Sequence, residues 1–117
     1  MGAELNRQMR ALIDERGGRH GSRIFEMHHS VIPRIADMLY ERGYKLGKPA
    51  GLKPKHLIVI VEIMIEQRLP IETMNLIWME VGNWAAWIRK ADMVQPLETY
   101  LKAYAESKAE TANILDA

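Results

Sequence analysis

Four histidines and a few carboxylates are the residues of this chain best suited to chemistry. Glu26-Met27-His28-His29 holds one Glu-x-x-His step, which on a helix sets a carboxylate and an imidazole on the same face. Di-iron bundles use that step twice and add two further glutamates. Here there is one copy, and Glu62 and Glu66, the available extra ligands, read equally well as a solvated stripe. The sequence therefore predicts no metal site and no cofactor. The 117 residues include no Cys, which removes disulfides, thiolate ligands and cysteine nucleophiles together. Ser22 and Ser30 stand where helices would be capped, and Ser107 lies in a solvent-facing segment. With no Ser/His/Asp arrangement to nominate, the chain reads as non-enzymatic.

Phosphate recognition is the chemistry the residue types favour. The basic set is Arg7, Arg10, Arg16, Arg19, Arg23, Arg34, Arg42, Lys45, Lys48, Lys53 and Lys55. Such residues displace counterions from a phosphate backbone and give salt-sensitive, largely sequence-tolerant binding. Arginine dominates the first 42 residues, and its planar fork suits phosphate better than lysine does. The competing reading is a solvated surface, since charges spread over 50 residues need not converge. Gly17-Gly18-Arg19-His20-Gly21-Ser22 follows a helix rather than a strand and lacks the Lys-Ser/Thr of a nucleotide loop. Backbone donors after Ser22, with Arg19 and Arg23 beside them, still offer an anion contact.

The charge is polarised. Residues 1–56 carry 11 Lys/Arg against 6 Asp/Glu, a balance of +5, and residues 57–117 carry 5 against 9, a balance of −4. All four histidines, His20, His28, His29 and His56, fall in the basic half. Such polarity suits a nucleic-acid contact at one end, or copies packed head to tail. Trp78 shares a face with Met74 and Val81 and reads as core. Trp84 and Trp87 cannot both occupy that face, so the expected protein interface is drawn from these two. The segment Glu66 to Ala91 also admits a helix, a short turn and a second helix carrying Asn83, Arg89 and Lys90, as in a small DNA-binding regulator. That match breaks at Trp78, four residues before Gly82, where a tight helix pair wants a small side chain.

The elements that must carry these residues are helical. Leu5, Met9, Leu12 and Ile13 define a first helix over Ala3–Arg16, and three glycines in five residues then break it. Phe25, His28, Ile32, Ile35 and Leu39 define a second from Ser22 to Arg42, with a kink near His29 or a fresh start at Ser30 expected from Pro33. Gly43 ends it, and a basic loop runs from Lys45 to Leu52. Pro54 to Arg68 contains Leu57-Ile58-Val59-Ile60-Val61, β-branched enough for a strand. No second strand exists to pair with it, and Lys55, Glu62 and Glu66 share one helical stripe, so it reads as a central, mostly buried helix. A further helix runs from Ile71 to near Asp92, in which Gly82 loosens the coil or admits a close neighbour. A last helix opens at Gln95-Pro96, with 108–117 a tail that frays or docks on a partner.

The expectation is one all-α domain over residues 1–117, a compact bundle of about five helices. A run of five apolar residues falls far short of the roughly 20 that a membrane span needs, and no signal-peptide core is present, so a cytoplasmic location is expected. Functionally the chain reads as a non-catalytic subunit of a nucleic-acid-associated or multi-subunit assembly. DNA or RNA phosphates meet the basic half, and a protein partner or a second copy meets the tryptophan-bearing half. A purely structural subunit packing head to tail and a helix-turn-helix regulator are the alternatives.

Overall fold

A computed structural model describes the backbone of residues 3–116 and the side chains of residues 3–109. Five α-helices follow in order: α1 Ala3–Arg16, α2 Arg23–Glu41, α3 Pro54–Glu66, α4 Ile71–Trp87 and α5 Leu97–Asp116. Single 3₁₀ turns at Pro49–Gly51 and Ala91–Met93 interrupt the longer connections, and no strand occurs among the described residues. The all-helical bundle expected from apolar spacing is the fold observed. No helix of the described residues is long and apolar enough to cross a membrane.

The Leu57–Ile65 segment is helical because its alternatives cannot satisfy the backbone, and its burial follows from its side chains. His56, Leu57, Val59, Ile60, Val61, Ile63 and Met64 are buried. Lys55, Ile58, Glu62 and Glu66 form the remaining stripe, exposed except for the half-buried Glu62. Pro54 occupies the first turn, where its missing N–H would have had no helical partner. The core around α3 joins Met9 and Ile13 of α1, Ile32, Ile35 and Leu39 of α2, and Val81 and Trp84 of α4.

Two boundaries differ from the sequence reading. The second helix runs unbroken through the buried Pro33, and Ser30 lies inside it rather than capping a restart. Ser22 is its cap, with Oγ accepting the Phe25 N–H at 3.2 Å. Burial of Phe25, His28, Ile32, Ile35 and Leu39 on one face offsets the single hydrogen bond that proline forfeits. α4 stops at Trp87, short of Asp92, because Arg89 takes a left-handed φ of 63° and the Lys90 N–H closes back on the Ala85 carbonyl at 2.8 Å. The same closure ends α2 at Gly43 and α3 at Arg68. The fraying expected from residue 108 is not seen, since the α5 backbone is helical to Asp116; whether the side chains of 110–117 dock on anything lies outside the described residues.

Candidate nucleic-acid interface

Arg7, Arg10, Arg16, Arg19, Arg23, Arg34, Lys45, Lys48, Lys53 and Lys55 are all exposed, but the structure sorts them into groups that differ in availability. On α1, Arg7 is held by Glu4 at 2.6 Å, and Arg16 lies 3.7 Å from Glu15. Arg10 donates to Asn6 Oδ1 and reaches His29 Nδ1. Arg42 is paired with Glu66. Arg34 borders a surface hollow that also carries Asp37 and Glu41, and Lys48 borders another that includes Glu15. Arg7, Arg16 and Arg42 are thus answered by the chain's own acids, whereas Arg19, Arg23 and Arg34 form no ion pair among the described residues. The α2 N-terminus beside Arg19 and Arg23 already has Ser22 as a cap and Glu26 in its first turn, so it is poorly disposed toward an outside anion.

The lysines behave otherwise. Lys45, Lys53 and Lys55 line one cavity of about 390 Å³ together with Tyr44 and His56, in the connection between α2 and α3. No carboxylate lines it, and α3 has no acidic residue in its first turn. The positive end of α3 therefore faces a cavity rimmed by cations. His56, third residue of α3, turns its ring back so that Nδ1 accepts the Lys53 N–H at 2.8 Å. Burial, with Lys55, Lys53 and Lys90 close by, holds its imidazole below the ordinary histidine range.

Long-range contacts fix this connection in place. Trp84 Nε1 donates to the Pro49 carbonyl at 2.9 Å, and Lys90 Nζ donates to the carbonyls of Ala50 and Leu52 at 2.7 and 3.1 Å. This corrects the expected role of Trp84. It is fully buried and pins the lysine-bearing loop, so it is no anchor for an outside protein. Its indole has a partner only inside the fold, and that partner lies 35 residues upstream. Trp87 is half-buried, with its ring edge-on to His28 at 5.1 Å. Trp78 donates to the Gln95 carbonyl and packs on Tyr100, fixing the entry to α5.

The histidines that suggested metal chemistry hold helices together. His29 Nε2 donates to Asp14 at 2.9 Å, clipping α2 to α1, while His20 stacks on Phe25 at 4.4 Å. His28 Nδ1 lies 2.9 and 2.7 Å from the two oxygens of Glu80, which is fully buried and also accepts from Asn83. That buried pair between α2 and α4 was missed. The available signal was a carboxylate set at helical spacing among Ile77, Trp84 and Trp87, facing a histidine inside the apolar seam of α2. Among the described residues no cluster of three His, Asp or Glu side chains could hold a metal ion. The helix-turn-helix reading of Glu66–Ala91 is also corrected: Ile71–Trp87 is one continuous helix with no turn inside it, and Asn83 is engaged by Glu80.

No family model, no curated protein and no solved structure matches this chain. The functional reading rests on the geometry.

Proposed function

We propose that this chain is a non-catalytic subunit of a nucleic-acid-associated assembly that contacts phosphates through the lysine-rich start of α3. The observation that carries the reading is the gathering of Lys45, Lys53 and Lys55 around one cavity with no carboxylate among them. Lysines left unpaired by the chain's own acids are the ones free to exchange counterions for phosphate. Their loop is held by Trp84 and Lys90, so little ordering remains to be done on binding.

Labelled DNA and RNA titrated over a salt series test this directly. Three phosphate contacts correspond to a log–log salt slope of about −2 to −3. Lys45→Gln/Lys53→Gln/Lys55→Gln should remove most of that slope, whereas Arg7→Gln/Arg16→Gln, which alters paired arginines, should leave it nearly unchanged. Absence of binding at low salt overturns the reading.

A second reading, a structural subunit packing copy on copy, has one observation in its favour. Ile58 is 52% exposed and borders an apolar groove between α3 and α5 with Tyr100, Ala103 and Tyr104. Sedimentation across a concentration series tests it: a protein that stays monomeric at every concentration rules this reading out.

A further inference from the structure

We propose that the cavity between α2 and α3 binds the dianion of a phosphate monoester, with His56 donating from Nε2 at its inner wall and Lys45, Lys53 and Lys55 closing on the outer oxygens. The proposal deepens the phosphate-contact reading and rests on it for the choice of ligand.

Two independent observations carry it. The first is electrostatic: the N-terminal end of a 13-residue helix and three exposed lysines meet at one recess that no acidic side chain enters. The second concerns a donor with no partner in the fold. His56 is 6% exposed, and its Nδ1 accepts the Lys53 N–H, which puts the ring proton of the neutral imidazole on Nε2. No group of the described residues takes that proton, yet no fully enclosed side-chain nitrogen or oxygen there lacks a partner. Nε2 is therefore reached from outside the protein, and the opening that His56 lines is the lysine cavity. The N–H of a largely buried histidine, fixed in direction by its own helix cap, thus opens onto a surface lined by cations.

Charge decides which phosphate. An internal phosphodiester offers one negative charge and two unesterified oxygens. Three lysines and an N–H donor gathered at one opening better match a group with two charges, one free end and three unesterified oxygens. Phosphate, with its higher charge and its oxygens arranged to take several N–H donors at once, fits this donor set better than a carboxylate does. A nucleic-acid 5′ end, a mononucleotide and free phosphate all present this chemistry.

The test uses the full chain. Inorganic phosphate is titrated while the His56 imidazole proton resonances are followed by NMR, and affinities are measured for one oligonucleotide bearing either a 5′-phosphate or a 5′-hydroxyl. The expected results are a saturable shift of the His56 signals and at least about tenfold tighter binding of the phosphorylated end, the equivalent of one charge-assisted hydrogen bond. His56→Gln keeps an acceptor for the Lys53 N–H but changes the donor facing the cavity, and Lys53→Gln/Lys55→Gln leaves the cap untouched. Each should weaken phosphate binding while circular dichroism stays unchanged. Saturable phosphate binding without oligonucleotide binding upholds the cavity and overturns the nucleic-acid reading. Equal affinity for the two oligonucleotides with no movement of the His56 signals overturns the cavity and leaves the nucleic-acid reading standing.

Discussion

Replacing His28 by leucine removes the imidazole that meets both oxygens of Glu80, at 2.9 and 2.7 Å, in a site where Glu80 is fully buried and His28 is 6% exposed. The carboxylate would keep a single donor, the Asn83 amide at 2.7 Å. Breaking a buried pair from one side costs about 3–5 kcal/mol, because the stranded group has lost both water and partner. A domain of this length has total stability on the order of 6–15 kcal/mol, so His28→Leu should remove between roughly a fifth and four fifths of it. With a urea m-value of about 2 kcal/mol/M, the unfolding midpoint should fall by roughly 2 M. Glu80→Leu should cost less, about 1–3 kcal/mol, the range for leaving one buried hydrogen-bonding group without its partner. The double variant takes out both polar groups and should lie closer to the wild type than the sum of the singles, with a coupling of about 2 kcal/mol or more. Equilibrium urea unfolding by circular dichroism of all four proteins measures the cycle. Additive single effects, or a His28→Leu loss under about 1 kcal/mol, would refute the reasoning that this pair joins α2 to α4.

Four further outcomes follow from particular residues. A Cβ at Gly82, within α4, meets nothing within 4 Å, so Gly82→Ala should raise stability by about 0.5–1 kcal/mol in urea unfolding. A Cβ at Gly17 would stand 2.6 Å from the Ile13 carbonyl oxygen and 3.3 Å from the His28 ring, so Gly17→Ala should destabilise by about 1–3 kcal/mol in the same assay. Trp84→Phe keeps a ring in the core but drops the bond to Pro49; it should cost about 1–3 kcal/mol, speed amide exchange over residues 49–53, and weaken phosphate binding with every lysine intact. His56 is held below its ordinary value in the folded chain, so the unfolded chain takes up the proton first as pH falls through about 6.5. The His56 contribution to stability is therefore intact above that pH and lost as pH drops toward the folded value. His56→Gln should flatten this slope between about pH 7.5 and 5.5; an unchanged slope would contradict the assignment.

Helical spacing made the fold legible. Steps of three and four between apolar residues are local, and they located α1, α2 and the start of α5 closely and identified the β-branched Leu57–Ile65 as a helix once no pairing strand could be found. The ends were less legible where Arg68 and Arg89 adopt left-handed φ, because arginine carries no sequence signal for that conformation whereas Gly43 does. The tryptophan reading failed at Trp84, though not at Trp78 or the half-buried Trp87, for a related reason. Periodicity shows that two side chains diverge around a helix axis, but not which of the two directions another segment will cover.

By itself the sequence determined that the chain is helical, that its excess of positive charge lies before residue 57, and that no thiol chemistry is available to it. Tertiary structure alone decided which of those charges come together. It paired Arg42 with Glu66, gathered Lys45, Lys53 and Lys55 around His56, and set Glu80 against His28, whereas the Arg7–Glu4 and Arg16–Glu15 pairs are local to α1. The contacts responsible join residues 28 to 80, 49 to 84 and 50 to 90. Each depends on the rotation and crossing of helices far apart in the chain, and that geometry is set by the packing of the whole core rather than by any local pattern of residue types.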